Sequence, residues 1–194
     1  MTHVKSQMTN SSPPAGLLLA GGYSRRMGRD KALLERPSGK TYLQHAVDRL
    51  REVTDEVWIA ARADQRETHD IADAYFVDEQ DDAGPMPPLV AALTRAKGQG
   101  RAGILVTPVD TPNLTAADLQ RILDVAAPDR PTVAINSADE VQALIAFYPA
   151  GLFERMDEIY HAGCSSPRRF AVRQNAARVT LSDKSLWNHN HPAP

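Results

Sequence analysis

Two adjacent glycines, Gly21 and Gly22, follow a short apolar run and open the stretch of sequence best suited to chemistry. Four cations come within seven residues just after them: Arg25, Arg26, Arg29 and Lys31. Glycines at the C-terminal end of a strand permit a positive φ and let a ligand reach bare backbone. Backbone N–H groups freed in such a turn can bind phosphate oxygens. The pattern therefore predicts a loop that binds a polyanion such as a nucleoside triphosphate.

The spacing of these glycines argues against two common phosphate-binding motifs. Five residues separate Gly22 from Gly28 and no Gly-Lys-Ser/Thr follows, so a P-loop is not favoured. The sequence also lacks G-x-G-x-x-G, the fingerprint of a dinucleotide-binding loop. From the residues alone, a loop whose charges are simply solvated is an equal alternative.

Apolar runs and helical periodicities alternate along the chain, and these elements must position the loop. Strands are predicted at 17–20, 57–61, 75–77 and 104–106, and helices at 43–53, 64–72 and 88–97. Such alternation favours parallel strands joined by helical crossovers. Further along, the patterns predict a helix over 115–125 capped by Thr115 and Asp118, an antiparallel strand pair (132–135 and 141–147), helices over 151–160 and 167–173, and a late strand over 177–181. We therefore expect an α/β fold.

Length, composition and charge limit the possible functions. A chain of 194 residues suits one well-buried domain and is short for two. Residues 1–14 are polar, lack the apolar core of a signal peptide and are expected to form a disordered tail, so 15–194 would be a single domain. The net charge of −2 argues against general binding to nucleic acid or membrane surfaces. Cys164 is the only cysteine, so no intrachain disulfide can form, and we expect a reducing, cytoplasmic location.

Three polar clusters follow predicted strands or lie near the C-terminus. Asp78 ends the third strand, and Asp110 follows the fourth within Val-Thr-Pro-Val-Asp-Thr-Pro. Ligands of open α/β sheets bind beyond the carboxyl ends of the strands, where a carboxylate can hold Mg²⁺ against phosphate oxygens. The alternatives are an exposed turn carboxylate for Asp78 and a turn or cap aspartate for Asp110. The third cluster is Asn188-His189-Asn190-His191-Pro192, and taken alone it indicates a frayed polar tail with incidental histidines, or even a weak metal-binding tract.

The string from Leu19 to Lys31, L-A-G-G-x-S-x-R-M-G-x-D-K, resembles the signature of the molybdenum cofactor guanylyltransferases. The resemblance implies a Rossmann-like three-layer sandwich with a mostly parallel central sheet and a small antiparallel extension toward the C-terminus. It also implies a reaction. GMP would pass from Mg·GTP to molybdopterin carrying molybdenum, giving the guanine dinucleotide cofactor and pyrophosphate.

The resemblance also assigns roles to individual residues. Nucleotide binding would fall to Leu19, Ala20, Gly21, Gly22, Lys31, Asp78 and Asp110. Asp78 would lie near the guanine ring, and Asp110 would bind Mg²⁺, the one cofactor expected. Asn188 and Asn190 would lie near the pterin. The residues implied to be catalytic are Arg26, Lys31 and Asp110.

Two departures from the family pattern keep alternatives open. Pro88 replaces a glycine whose N–H could serve the ligand, and Ala60-Ala61-Arg62 stands where an asparagine is common. The alternatives are a related enzyme that uses another base or acceptor, such as cytidylyl transfer to the same cofactor or activation of a phosphorylated metabolite, and a degenerate relative that only binds nucleotide or cofactor. The implied partners are GTP, the molybdenum cofactor and a cofactor-insertion or molybdoenzyme protein, with no nucleic acid and no membrane.

Overall fold

A seven-stranded sheet forms the centre of the protein. The computed structural model describes residues 12–21, 34–36, 39–62, 71–78 and 84–188. The strands are β1 (Ala15–Leu19), β2 (Val57–Arg62), β3 (Ala74–Asp78), β4 (Gly103–Pro108), β5 (Thr132–Ile135), β6 (Val141–Pro149) and β7 (Ala177–Thr180). Their order in the sheet is β3-β2-β1-β4-β6-β5-β7. Only β6 among these strands is antiparallel to its neighbours, so the sheet is mostly parallel with an antiparallel extension, as predicted.

Helices cover both faces of the sheet. They are α1 (Tyr42–Arg51), α2 (Met86–Gly98), α3 (Ala116–Asp124), α4 (Phe153–His161), α5 (Pro167–Arg173) and α6 (Asp183–Leu186), with a 3₁₀ turn over Ala150–Leu152. Two separate apolar cores result: α2, α4 and α5 pack on one face, and α1 and α3 pack on the other. The predicted three-layer α/β sandwich is therefore confirmed. No helix within the described ranges is long and apolar enough to cross a membrane.

Local signals account for most of these elements. α1 begins at a capping box between Thr41 and Gln44, and α3 begins at the predicted box between Thr115 and Asp118. β4 is the middle strand of the seven and is buried along 103–107, which fits its continuous apolar run. The α1 stripe of Leu43, Ala46, Val47 and Leu50 is buried, as the spacing predicts.

Three boundaries differ from, or fall outside, the predicted ones. α2 begins at Met86 rather than Pro88, because proline fits the first turn of a helix, where N–H groups have no intrahelical partner. Most of the helix predicted over 64–72 lies outside the described residues, and Ile71 and Ala72 form a bend that leads into β3. Ser12 belongs to the segment expected to be a tail, yet its N–H donates to the carbonyl of Gly100 (3.1 Å).

β4 and β6 approach each other unusually closely at Gly103. A β-carbon at this position would collide with the carbonyl oxygen of Tyr148 and would lie 2.8 Å from the α-carbon of Pro149. Gly103 is the first residue of β4 and pairs with Pro149 of β6. The absence of a side chain therefore permits the central parallel strand to pair with the antiparallel one.

β6 bulges where it pairs with β5. Val133 pairs with Ala146 but Ala134 pairs with Gln142, so residues 143–145 have no partner in this register. The hydroxyl of the fully buried Tyr148 donates to the carbonyl of Ala143 (2.7 Å). This bond satisfies a backbone acceptor in the irregular segment, where an unpaired group would be costly.

The hairpin that joins β5 to β6 lies beyond the carboxyl end of β5. The Asn136 side chain accepts from the N–H groups of Ala138 (3.0 Å) and Glu140 (2.8 Å), and Asp139 has a φ of 59°. Ser137 donates from its hydroxyl to the carboxylate of Asp183 on α6 (2.6 Å). The exposed tip is therefore tied to the helix that precedes the C-terminal segment.

Candidate active site

The carboxyl ends of β1 to β4 lie along one edge of the sheet. The four strands are parallel, and Leu19 of β1 pairs with both Ala60 of β2 and Pro108 of β4. Pairing continues past the strand ends, because the Ala20 N–H donates to Ala60 (2.8 Å) and the Val109 N–H donates to Leu19 (3.1 Å). Ligands of such sheets bind beyond this edge.

Gly21 and Asp110 occupy equivalent places on neighbouring strands. Gly21 lies two residues beyond Leu19, and Asp110 lies two residues beyond its partner Pro108. The structure therefore places the start of the glycine-rich stretch and the aspartate that follows β4 at the carboxyl ends of adjacent strands. Gly22, Arg26 and Lys31 lie outside the described residues.

Nothing in the described surroundings of Gly21 requires glycine for steric reasons. Gly21 does not have a positive φ, and a β-carbon there would be 3.6 Å from the backbone nitrogen of Arg62, an ordinary contact. An alanine would therefore fit the described surroundings. The sequence suggested two reasons for a glycine here: a positive φ, and access of a ligand to bare backbone. The first does not apply to Gly21, so the second remains.

β2 and β3 contribute the next two positions along this edge. Arg62, the last residue of β2, pairs in register with Asp78, the last residue of β3. Asp78 thus ends its strand as predicted, although its side chain lies outside the described part of the structure. Arg62 belongs to the Ala60-Ala61-Arg62 segment, which differs from the family pattern. Its position at the end of β2 places it at the edge that also carries Gly21 and Asp110.

Asp110 is half-buried in a short turn after β4. The turn is closed by Thr111, whose hydroxyl donates to the Pro108 carbonyl (3.1 Å). Within the described ranges, no three His, Cys, Asp or Glu side chains gather to form a metal site. A metal at Asp110 would therefore have at most two such side chains from the described residues, with other ligands from water or substrate. Mg²⁺ bound with substrate phosphates has this kind of ligand set, so the donor chemistry fits it.

Three basic side chains contact the turn after Asp110, and the sequence reasoning missed them. Arg49 of α1 donates to the carbonyls of Thr111 (2.7 Å) and Leu114 (3.1 Å), and Arg36 donates to that of Pro112 (3.3 Å). The third is His45 of α1, which also hydrogen-bonds to the Pro112 backbone. No local pattern marks them, because their partners lie more than sixty residues further along the chain.

Burial and mutual repulsion dominate the electrostatics of this group. The pKa of Arg49 falls to about 10, chiefly because the side chain is buried and secondly because of the Arg36 charge. Burial and the same kind of repulsion, from Arg36 and Arg49, lower the pKa of His45. His45 is therefore mostly neutral at pH 7, whereas Arg49 stays charged.

The segment after β3 has lost hydrogen-bond donors. Gly84 has a φ of 76° and precedes the first turn of α2, in which Pro87 and Pro88 carry no N–H. The N–H of Leu89 is already used by the Pro85 carbonyl (3.4 Å). Pro88, the departure seen in the sequence, and the adjacent Pro87 thus remove two of the N–H groups that a helix N-terminus would offer to a ligand.

The C-terminal segment reaches the same edge of the sheet from its other side. β7 is parallel to β5 and lies three positions from β4 in the strand order. Asn188 is half-buried and follows α6, which comes after β7. Asn188 therefore lies in the segment that follows this end of the sheet, and Asn190 lies outside the described residues.

Comparison with known proteins identifies the family. Residues 16–179 match the model of the MobA-like NTP transferase domain. A protein of Rhodopirellula baltica named "Probable molybdenum cofactor guanylyltransferase" is 33% identical, over 100% of this chain and 96% of its own. A protein of the same name from Opitutus terrae is 38% identical, over 94% of this chain and 93% of its own length.

A solved structure agrees with the fold. The crystal structure of molybdopterin-guanine dinucleotide biosynthesis protein A from Archaeoglobus fulgidus superposes with a TM-score of 0.66 at 18% identity, covering 92% of this chain and 93% of that one. The chain therefore belongs to the molybdenum cofactor guanylyltransferase family, within the MobA-like NTP transferases, and it is a nucleotidyltransferase.

Proposed function

We propose that this nucleotidyltransferase transfers GMP from Mg·GTP to the molybdenum-carrying form of molybdopterin. The observation that carries the proposal is the register of β1 and β4, which places Gly21 and Asp110 each two residues beyond the paired residues Leu19 and Pro108. Bare backbone and a carboxylate at one point suit a metal-bound triphosphate. The names of the full-length relatives supply the base and the acceptor.

The reaction needs alignment and charge neutralisation more than covalent help from the protein. An oxygen of the acceptor's terminal phosphate forms a bond to the α-phosphorus of GTP, the bond from that phosphorus to the bridging oxygen breaks, and pyrophosphate leaves. The attacking phosphate is already ionised, so no general base is required. Mg²⁺, when bound, would neutralise phosphate charge and polarise the attacked centre.

The chain's own residues would divide this work. Backbone from Leu19 to Gly22 would cradle the phosphates, and Arg26 with Lys31 would neutralise charge on the α-phosphate and on the departing pyrophosphate. Asp110 would hold Mg²⁺. The base would lie toward Asp78, and the acceptor would lie toward Asn188 and Asn190.

One observation favours a second candidate, transfer with a different base. Pro87 and Pro88 remove N–H donors from the first turn of α2, on the β3 side of the site where the base would lie. A guanine site built on those donors would be weakened. Cytidylyl transfer to the same acceptor is the corresponding alternative.

The test is nucleotide binding followed by product formation. Calorimetric titrations with GTP, CTP, ATP and UTP, each with Mg²⁺ and with EDTA, give base preference and metal dependence. Incubation with molybdopterin carrying molybdenum and the preferred nucleotide should then release pyrophosphate and form the dinucleotide. We expect GTP to bind most tightly and only GTP to give product.

Asp110→Asn keeps the shape of the side chain and removes its charge. We expect it to abolish most of the effect of Mg²⁺ on GTP binding while leaving binding in EDTA unchanged. The matched control is Asp129→Asn, the same change on an exposed residue that precedes β5 and so lies at the opposite edge of the sheet. If Mg²⁺ changed GTP binding equally in wild type and in Asp110→Asn, Asp110 would not be a metal ligand. If the protein bound CTP more tightly than GTP, cytidylyl transfer would replace GMP transfer as the proposed function.

A further inference from the structure

The turn that carries Asp110 is held from both sides. Before Asp110, the Val109 N–H donates to Leu19 of β1 (3.1 Å). After it, the carbonyl of Thr111 accepts from the Arg49 guanidinium (2.7 Å). Asp110 is thus the single residue between a point fixed to β1 and a point fixed to α1.

Arg49 makes its contact under conditions that disfavour an arginine. Its side chain is 3% exposed, and its Nε and Nη2 atoms are buried without a hydrogen-bond partner among the described residues. The nearby Arg36 adds repulsion, which the charge of Asp118 on α3 partly offsets. An apolar side chain of similar length would fill this place without burying a charge. Packing alone therefore does not explain the residue.

Toward the described residues, Nη1 is the only guanidinium nitrogen of Arg49 that makes hydrogen bonds, and both bonds go to the turn. It donates to the carbonyls of Thr111 (2.7 Å) and Leu114 (3.1 Å), which are three residues apart. One cationic nitrogen therefore draws both ends of this segment toward α1. Hydrogen bonds from charged donors are stronger than neutral ones, so they fix geometry more firmly.

We propose that Arg49 is a positioning residue for the Asp110 carboxylate: by binding the Thr111 and Leu114 carbonyls, it sets the conformation in which Asp110 meets the metal. The inference rests on the proposed function, because it takes Asp110 as the ligand of Mg²⁺. Groups that orient a metal ligand commonly change metal affinity 10- to 100-fold when they are removed.

The experiment measures the effect of Mg²⁺ on GTP binding in Arg49→Met. We expect GTP binding in Mg²⁺ to weaken about 10-fold or more, while GTP binding in EDTA stays unchanged. Arg49→Lys keeps a cation and a donor and should restore part of the effect. The matched control is Arg51→Met on the same helix, since Arg51 also donates to a carbonyl, that of Ile71 (3.2 Å), away from Asp110. It should behave as wild type.

A double-mutant cycle separates positioning from general destabilisation. In an Asp110→Asn background, Arg49→Met should cause no further change in the effect of Mg²⁺ on binding. Circular dichroism and melting curves report whether each variant folds. If Arg49→Met does not fold, Arg49→Gln takes its place with the same expectation.

The possible results are distinct. A folded Arg49→Met or Arg49→Gln with wild-type dependence on Mg²⁺ overturns the inference and leaves the proposed function standing. So does a weakening that is just as large in the Asp110→Asn background. If wild-type protein binds GTP equally well in Mg²⁺ and in EDTA, the metal role of Asp110 fails and the inference fails with it.

Discussion

Replacing Gly103 with alanine should destabilise the protein strongly. A new β-carbon would collide with the Tyr148 carbonyl oxygen and would lie 2.8 Å from the Pro149 α-carbon and 2.9 Å from a ring carbon of Phe147. Two of these obstacles are backbone atoms of β6, which cannot rotate away as a flexible side chain can. Overpacking of a core typically lowers the free energy of unfolding by about 1–3 kcal/mol. Because backbone atoms cannot move aside, we expect the loss for Gly103→Ala to be about 3 kcal/mol.

Gly98→Ala provides a matched control with the opposite sign. Gly98 is the last residue of α2, has no positive φ, and has open space where the β-carbon would lie. Alanine in a helix is favoured over glycine by about 0.5–1 kcal/mol. For a chain of this size 1 kcal/mol corresponds to about 2–4 °C in Tm, so Gly103→Ala should lower Tm by about 6–12 °C and Gly98→Ala should raise it by about 1–4 °C.

Differential scanning calorimetry with urea titration at 25 °C would measure both variants. Gly103 lies at the opposite end of β4 from Asp110, so GTP binding by folded Gly103→Ala should stay close to wild type at low temperature. A Tm for Gly103→Ala equal to or above that of wild type would refute the reasoning. It would mean that β4 and β6 can separate at little cost.

Three further predictions concern single side chains. Lys31→Ala should lower turnover by a factor on the order of 10², as loss of a preorganised charge does, and wild-type turnover would rule out its role. Tyr148→Phe should cost about 1–3 kcal/mol in urea titrations, because the buried Ala143 carbonyl loses its donor; a neutral result would show that another donor takes over. The pKa of His45 is lowered in the folded protein, so as pH falls below about 6.5 the unfolded chain takes up a proton at this residue more readily than the folded protein does. The free energy of unfolding should therefore fall as pH drops through that range. His45→Gln should flatten this dependence, and an unchanged slope in pH-dependent melting would assign it to other groups.

Features that depend on nearby residues could be predicted from the sequence. The capping box between Thr115 and Asp118 spans only three residues and marks the start of α3. The apolar run at 104–106 is likewise local and predicts a buried strand without reference to any distant residue. The sequence predicts that Asp78 and Asp110 share one edge of the sheet because the carboxyl ends of parallel strands lie together, and the strand register agrees. The positions of these two residues in the fold therefore follow from the sequence, while their roles stay predictions.

Features that depend on distant partners could not be predicted. Arg49 lies beside the apolar stripe of α1 and is indistinguishable in sequence from the exposed Arg51, yet the turn after β4 and α3 cover it. Gly103 carries no local mark of its collision with β6, whose partner residue is Pro149. The roles expected of all the site residues stay predictions, and four of these residues, Gly22, Arg26, Lys31 and Asn190, lie outside the described ranges.

The hairpin between β5 and β6 has a consequence for how this protein can change over evolution. Its tip, 137–140, is exposed. Because β5 and β6 are antiparallel neighbours, β6 starts at the edge where β5 ends, and a longer connection would not change this. Insertions there would leave the two apolar cores untouched, because the core residues of β5 and β6 begin beyond the tip. They would move Ser137 relative to Asp183, and through it the segment that leads to Asn188. One half of the edge can therefore diversify by changes in loop length while β1 to β4 keep a constant frame.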